Sequence, residues 1–228
     1  MKKPFTMTLV NLVVLGLMRV LCTLRASRIE SVPQNGPAIL LSNHTSLFEG
    51  PIYYALLWKQ NKTAIAKREL WDNWATRFLM QVWGIIPIDR HGSDRRAVRR
   101  AMNALKKGAF LGIAPEGTRS KDGCLLPGKP GAAMIAYEAG VPIIPLAHWG
   151  MRDIPKNARR LRRTRVHVAV GAPFVLHLPY QGRPKPQDLR KMTEEMMFQL
   201  ATLMPEELRG AYKDLSRMST DYIRPIEL

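Results

Sequence analysis

The chain has 228 residues, which is ample for one buried core and short for two, so the length predicts a single domain. Its 35 lysines and arginines outnumber its 18 acidic residues, and the net charge of +17 indicates an anionic partner without choosing among membrane lipid, nucleic acid and a phosphorylated substrate. Cys22 and Cys124 lie far apart without metal-ligand spacing, which argues against a zinc site or a disulfide framework.

The first part of the chain is largely apolar. Residues 5–24 are interrupted by Asn11 and Arg19, and cations flank them on both sides. A membrane-spanning helix needs about twenty apolar residues with few charges, whereas a helix lying in the membrane interface tolerates a cationic edge. Because Arg19 would be costly inside a bilayer, we predict a membrane-associated, interfacial helix in residues 1–28, with a span as the alternative. Residues 29–228 then form the domain.

Helical patterns and short apolar runs alternate along the next part of the chain. Helical patterns cover residues 51–60, 71–83 and 93–107, and apolar runs cover residues 38–41, 63–66, 85–88 and 110–114. This alternation is typical of a single α/β domain with a mainly parallel, mixed sheet flanked by helices. Residues 166–170 resemble a further strand. The apolar stripe between Leu189 and Leu203 predicts a helix that packs on the core.

The first predicted strand is followed by the sequence Asn-His-Thr-Ser-Leu-Phe-Glu-Gly, residues 43–50. Since Pro51 suits the first position of a helix, we expect His44 on a turn and Glu49 near the helix N-cap. The Glu49 carboxylate can then fold back onto the imidazole. A carboxylate bonded to one ring nitrogen fixes the tautomer and leaves the other nitrogen as a base. Taken alone, such a pair is more often structural than catalytic. The other histidines, His148 among them, have no acid at a comparable offset and are interpreted as structural or exposed.

Two further apolar runs also end in polar residues. One ends at Asp89-Arg90, and the other is followed by Pro-Glu-Gly-Thr-Arg-Ser, residues 115–120. In open α/β sheets, ligands bind beyond the carboxyl ends of the strands, so a base and two guanidinium groups would gather on one edge. Arginine suits bidentate phosphate capture, and the turn at Gly117 can offer backbone N–H groups to an anion. The pattern favours an anionic substrate placed against a general base. An isolated arginine or turn of this kind would otherwise be an ordinary solvated feature.

Four blocks of the sequence resemble those of one family. Residues 43–49 resemble the His-x4-Asp motif of the glycerolipid acyltransferases, the lysophosphatidic acid acyltransferase family. The family's second, third and fourth blocks resemble residues 84–90, 115–120 and 141–146. One block would be weak, but four in order across about half of the chain are highly specific. The departure is Glu49, since the family usually has Asp there.

The resemblance implies an enzyme that moves a fatty acyl group from acyl-CoA or acyl-carrier protein to the free hydroxyl of 1-acylglycerol 3-phosphate. The product would be phosphatidic acid, in phospholipid biosynthesis, and no metal or cofactor is implied. His44 would be the base that takes the hydroxyl proton, and Glu49 would orient and stabilise the charged imidazole. Another lysolipid or glycerol 3-phosphate is an alternative acceptor, and Glu49 keeps open a catalytically silent lipid-binding relative.

The resemblance also implies a set of substrate-binding residues: Arg90, Glu116, Gly117, Thr118, Arg119, Lys129 and Lys67. Arg90 and Arg119 would hold the acceptor's phosphate, and Gly117 and Thr118 would shape the turn. Glu116 would order the arginines or the glycerol. Lys129 matches a basic position after the third block, although it could equally be a surface residue. Lys67 follows another strand end.

A basic run between residues 152 and 165 contains seven cations in fourteen residues. It has no interleaved aromatic residues on which bases could stack, which argues against nucleic acid. Attraction to anionic lipid headgroups explains it more simply, at about 1 kcal/mol per cation near the surface. We therefore predict a peripheral or monotopic protein on the cytoplasmic face of the cell membrane. A nucleic-acid-binding protein remains an alternative from charge alone.

Overall fold

The computed structural model describes residues 5–89 and 94–227. The helices within these residues are α1 (Phe5–Leu21), α2 (Glu49–Leu56), α3 (Trp74–Val82), α4 (Arg95–Lys106), α5 (Pro130–Ala139), α6 (Ile154–Ala158) and α7 (Pro186–Thr202). The strands are β1 (Cys22–Ser27), β2 (Ala38–Ser42), β3 (Lys62–Lys67), β4 (Ile86–Ile88), β5 (Phe110–Ile113), β6 (Ile143–Trp149), β7 (Thr164–Val170), β8 (Phe174–Leu176) and β9 (Ile223–Pro225). Short 3₁₀ turns join several of these elements.

The strands form one mixed sheet in the order β1-β7-β6-β2-β5-β3-β4. Strand β2 pairs in parallel with both β5 and β6, and β3 pairs in parallel with β4 and β5. Strand β7 runs antiparallel to β6, and β8 pairs antiparallel with β6 and β9. The prediction of a single α/β domain with a mainly parallel, mixed sheet flanked by helices is therefore confirmed.

The central strand β2 is buried along its whole length, which explains its continuous apolar sequence. Ile39 and Leu41 point into a core beneath α4, α5 and α7, while Ala38 and Leu40 point into a second core on the other side. This alternation is the two-residue period of a strand covered on both faces. Helices on both sides therefore hold β2 rigidly, and the turn that follows it starts from a fixed point.

The N-terminal helix ends earlier than the sequence predicts. Helix α1 stops at Leu21, and residues 22–27 form β1, which pairs in parallel with β7. Two contacts favour this break: Cys22 is buried, and the Arg163 guanidinium donates to the carbonyl oxygens of Arg19 and Cys22, each at 2.7 Å. A cation on the last carbonyls of a helix satisfies groups that the helix itself leaves unpaired.

The polar residue inside the apolar run of α1 also has a structural partner. Asn11 is buried, and its side-chain oxygen accepts a hydrogen bond of 2.9 Å from the indole N–H of Trp83. Helix α1 therefore packs on the domain through one face. In the part of the chain that the structure describes, no helix combines the length and apolar character that crossing a membrane requires.

Candidate active site

The polar residues predicted at the strand ends meet at one edge of the sheet. Strands β2, β3, β5 and β6 run in the same direction, so His44, Lys67, Glu116 and His148 all lie at their carboxyl ends. This is the edge at which open α/β sheets bind ligands. Arg90, predicted to follow β4, lies outside the described residues.

His44 and Glu49 form the predicted pair. The His44 Nδ1 atom lies 2.6 Å from the Glu49 Oε2 atom. Because a carboxylate can only accept, Nδ1 carries the proton, and the lone pair of Nε2 is the basic one. The His44 side chain is 24% exposed and that of Glu49 is 12% exposed, so the ring is open to a substrate while its carboxylate is covered.

The local fold explains how Glu49 reaches His44. Helix α2 begins at Glu49, so the preceding turn folds over its first residue. The other carboxylate oxygen, Oε1, accepts hydrogen bonds from the backbone N–H groups of Thr45 at 2.5 Å and Ser46 at 2.6 Å. A carboxylate in the first turn is also favoured by the helix dipole. Three donors therefore fix the carboxylate beside the ring.

The protonation state of Glu49 follows from these contacts. Burial favours its neutral form, but the attraction of His148 and the hydrogen bonds from His148 and His44 outweigh burial and lower the pKa of Glu49 to about 2. Glu49 is therefore ionised at neutral pH. An anion beside Nδ1 stabilises the imidazolium that forms when Nε2 takes up a proton.

Glu116 holds the backbone around His44. Its side chain is buried, its Oε1 accepts from the His44 N–H at 2.6 Å, and its Oε2 accepts from the Leu126 N–H at 2.9 Å. The Ser120 N–H donates to the His44 carbonyl oxygen at 2.8 Å. Burial raises the pKa of Glu116 to about 7, although its two backbone hydrogen bonds oppose the shift. The resemblance implies that Glu116 orders the arginines or the glycerol. Its described hydrogen bonds go to backbone N–H groups instead.

The turn after Glu116 lies against Lys129. Gly117 has a φ of +65°, a region that favours glycine, and a Cβ atom there would come within 3.1 Å of the Lys129 Cδ atom. The Lys129 N–H donates to the Pro115 carbonyl oxygen at 2.8 Å, just before α5 begins. Thr118, Arg119 and Lys129 are exposed. The structure thus joins Gly117 and Lys129 in one exposed, cationic turn.

His148 is a site residue that the sequence did not reveal. Its fully buried ring has Nε2 at 2.9 Å from the Asn43 carbonyl oxygen and at 3.4 Å from the Glu49 Oε1 atom. The Asn43 side chain also bonds the His148 backbone, accepting from its N–H and donating to its carbonyl oxygen, both at 2.9 Å. The signal that could have revealed His148 is its position at the end of β6, because β6 runs parallel to β2 and ends at the same edge of the sheet.

Comparison with known proteins places the chain in a family. The model of the Acyltransferase family matches residues 23–149, more than half of the chain. This chain belongs to the acyltransferase family. The matched region includes His44, Glu49, Glu116, Lys129 and His148, and ends with the last residue of β6.

Members of the family from plants and animals are similar in sequence. A chloroplastic 1-acyl-sn-glycerol-3-phosphate acyltransferase from Brassica napus is 36% identical over 129 residues, covering 55% of this chain and 37% of the relative. One from Arabidopsis thaliana is 34% identical over 157 residues, covering 68% and 42%. The alpha enzyme of Bos taurus is 32% identical over 180 residues, covering 76% and 60%. The chain thus matches about two fifths of the length of the plant acyltransferases.

A solved structure has the same fold. The crystal structure of the 1-acyl-sn-glycerophosphate acyltransferase PlsC from Thermotoga maritima matches with a TM-score of 0.62 and 24% identity. The match covers 93% of this chain and 82% of that one. This likeness supports the α/β architecture described above.

Some of the predicted site residues contact one another directly, whereas others only share the same edge of the sheet. His44, Glu49 and Glu116 are joined by direct hydrogen bonds, and Gly117 adjoins Lys129. Lys67, Thr118 and Arg119, which the resemblance implies as substrate-binding residues, lie at the same edge of the sheet. Among residues 5–89 and 94–227, no three His, Cys, Asp or Glu side chains are grouped so that they could hold a metal ion.

Proposed function

We propose that this acyltransferase moves a fatty acyl group from acyl-CoA or acyl-carrier protein to the free hydroxyl of 1-acylglycerol 3-phosphate, giving phosphatidic acid for phospholipid synthesis. The observation that carries the proposal is the 2.6 Å contact between His44 Nδ1 and Glu49, with the ring open at a sheet edge. Relatives named 1-acyl-sn-glycerol-3-phosphate acyltransferases support the choice of acceptor.

The proposed reaction begins with proton transfer to His44. Nε2 takes the proton of the acceptor hydroxyl while the hydroxyl oxygen attacks the carbonyl carbon of the thioester. Glu49 stabilises the imidazolium that results. The tetrahedral intermediate then collapses by breaking the carbon–sulfur bond, and the departing thiolate takes the proton from Nε2. The products are the acylated lipid and the free thiol, and His44 is restored to its starting state.

The phosphate of the acceptor would bind the exposed cationic turn. Lys129 crosses the turn at Gly117, and Arg119 follows two residues later. A guanidinium group on this turn and an ammonium group beside it suit a phosphate, because both donate charge-assisted hydrogen bonds. Lys67 at the end of β3 and Arg90 are proposed to add to this site. An anchored phosphate would hold the glycerol hydroxyl near Nε2 of His44 and so lower the entropic cost of the reaction.

We also propose that the protein lies on the cytoplasmic face of the cell membrane through α1. The outer side of this helix exposes a row of apolar side chains: Phe5, Leu9, Leu12, Val13, Leu17 and Val20. Its inner side packs on the domain through Asn11 and Met18. A helix with one packed face and one exposed apolar face suits insertion into the headgroup boundary. A lipid acceptor could then reach the active site from the bilayer.

The basic run would add attraction to anionic lipids. Arg152 and Arg163 are engaged with backbone carbonyl oxygens, so the remaining cations of the run are the better candidates. Between Arg160 and Arg162 lies Leu161, which is 98% exposed. The contacts of Arg163 with the end of α1 place this segment beside the proposed membrane helix. Cations with an apolar tip suit an anionic bilayer surface.

The test of the reaction is thioester consumption by purified His44→Ala, with His177→Ala as a matched control outside the site. Loss of a general base typically costs about 10²–10⁴-fold in rate, and His177→Ala should keep the wild-type rate. Near-normal acyl transfer by a folded His44→Ala would contradict the mechanism. Assays with 1-acylglycerol 3-phosphate, another lysolipid and glycerol 3-phosphate as acceptors separate the proposed substrate from its alternatives.

A further inference from the structure

The Glu49 carboxylate lies between two imidazole rings. Its Oε2 atom contacts Nδ1 of His44 at 2.6 Å, and its Oε1 atom lies 3.4 Å from Nε2 of His148. The first ring is partly exposed, whereas the second is fully buried. Only His44 can therefore meet a substrate. His148 contacts the same carboxylate from the opposite side, inside the protein.

The neighbours of His148 fix where its proton lies. Nε2 faces the Asn43 carbonyl oxygen at 2.9 Å and the Glu49 carboxylate, and both are acceptors. Nε2 must therefore carry a hydrogen. Nδ1 is buried and has no hydrogen-bond partner among the described residues. A buried polar atom without a partner costs stability. Packing alone would be served better by an apolar side chain, so the ring is explained by its Nε2–H group, which faces both the Asn43 carbonyl oxygen and Glu49.

The Glu49 side chain must be restrained by hydrogen-bond donors, and the Nε2–H group of His148 is one of them. A glutamate side chain has three rotatable bonds, and aiming Oε2 at Nδ1 of His44 requires all three to be held. The backbone N–H groups of Thr45 and Ser46 bind Oε1 from the turn side. Nε2 of His148 approaches the same oxygen from β6. The position of His148 is itself fixed, because the Asn43 side chain bonds both polar groups of its backbone.

We propose that His148 is a positioning residue for the acyl transfer proposed above: its Nε2–H group, which donates to the Asn43 carbonyl oxygen at 2.9 Å, also holds Oε1 of Glu49 at 3.4 Å, so that Oε2 stays aimed at Nδ1 of His44. His148 does not touch the substrate. It acts through Glu49, and thus sets the orientation of His44. A misplacement of about 1 Å at a catalytic group can cost about 10²-fold in rate.

The test compares three replacements of His148. His148→Gln can place its amide N–H near the position of Nε2, so it should keep most of the activity. His148→Leu fills the space without a donor, and His148→Asn has a donor that is too short to reach Glu49. Both should lower kcat by about 10–100-fold. The KM for 1-acylglycerol 3-phosphate should stay within about threefold of wild type, because the phosphate contacts are untouched. His167→Leu is the control, since His167 stacks on Trp149 in the neighbouring strand and should leave kcat unchanged.

A second measurement does not depend on turnover. The proton between His44 Nδ1 and Glu49 gives a downfield NMR signal when the hydrogen bond is short. The signal should persist in His148→Gln and shift or broaden in His148→Leu and His148→Asn. If wild type consumes no thioester with any acceptor, the proposed function fails, yet the NMR comparison still decides the role of His148.

Two outcomes would overturn the positioning role. One is a folded His148→Leu or His148→Asn with wild-type kcat and an unchanged proton signal. The other is equal loss in His148→Gln and His148→Asn at wild-type melting temperature, which would show that the donor at the Nε2 position does not matter. If His148→Leu does not fold, the comparison of Gln with Asn decides the question by itself.

Discussion

Replacing Glu49 by glutamine should invert the proton pattern of His44. The Oε1 atom of Glu49 accepts from the Thr45 and Ser46 N–H groups at 2.5 and 2.6 Å, so the amide oxygen of the glutamine must take this place. The amide NH₂ group then occupies the position of Oε2, 2.6 Å from Nδ1 of His44. Because that group donates, Nδ1 must accept, and the ring proton moves to Nε2. Nε2 then cannot take a proton from the acceptor hydroxyl.

The expected loss is large. General-base catalysis contributes about 10²–10⁴-fold, and the corresponding acid-to-amide change in the Ser-His-Asp triad costs about 10⁴-fold in kcat. We expect Glu49→Gln to lower kcat by about 10³–10⁴-fold, which corresponds to about 4–5.5 kcal/mol of transition-state stabilisation. The KM for the acceptor should change little. The fold should persist, because the side chains are equal in size and the amide oxygen can still accept from the Thr45 and Ser46 N–H groups.

The assay is release of free thiol from acyl-CoA, with and without 1-acylglycerol 3-phosphate. The matched control is Glu49→Asp, which keeps a charged acceptor but is one methylene shorter. It should keep the proton on Nδ1, and so should be more active than Glu49→Gln. A folded Glu49→Gln with a kcat within about tenfold of wild type would refute the assignment of His44 as an oriented base. An aspartate variant less active than the glutamine variant would refute it as well.

Three further predictions concern stability and membrane binding. The pKa of Glu116 is raised from 4.5 to about 7, so the folded state binds this proton more tightly than the unfolded state, and the resulting stabilisation is complete below pH 4.5 and lost as the pH rises to about 7. Glu116→Gln should therefore remove about 3 kcal/mol from the pH dependence of the free energy of urea unfolding in that range. Parallel curves of unfolding free energy against pH for the variant and wild type would contradict this prediction. Gly117→Ala should lower the free energy of unfolding by about 1–2 kcal/mol, because position 117 has a positive φ and Lys129 lies close to it. The control is Gly131→Ala, which lies in a helix and should not destabilise the protein. Equal effects of the two substitutions would contradict this prediction. Leu161 is 98% exposed and has a φ of +52°, a backbone conformation that asparagine tolerates, so the Leu161→Asn variant should keep the wild-type melting temperature. The variant protein should sediment less than wild type with anionic vesicles at low salt. Vesicle binding equal to that of wild type would contradict the proposed membrane surface.

Local signals explain how far the sequence predicted this molecule. The strands before His44 and Glu116 were predicted because continuous apolar runs mark strands buried on both faces. The start of α4 depends on a local signal of the same kind, because the Asp94 side chain accepts from the Arg96 and Ala97 N–H groups. The pairing of His44 with Glu49 was predicted because the two residues are five apart in the chain and joined by one turn.

Contacts between distant segments could not be predicted in the same way. His148 is 105 residues from Asn43, and its contact with Glu49 depends on β6 lying beside β2. Strand β1 forms because it pairs with the edge of β7, and no pattern within residues 22–27 indicates this pairing. Arg163 belonged to a run interpreted by its charge, but its guanidinium group binds the end of α1. Charge and periodicity describe one segment at a time, whereas these contacts depend on where two segments meet.

The longer acid at position 49 is matched to the turn that surrounds it. Helix α2 begins at Glu49, two residues before Pro51, so the carboxylate projects back over the turn that carries His44. Its length lets one oxygen meet two backbone N–H groups while the other oxygen reaches Nδ1. Aspartate, which is one methylene shorter, would keep both contacts only if the start of the helix moved. Glutamate at this position is therefore compatible with an oriented histidine, provided that its additional freedom is restrained, and the donors around Oε1 provide that restraint.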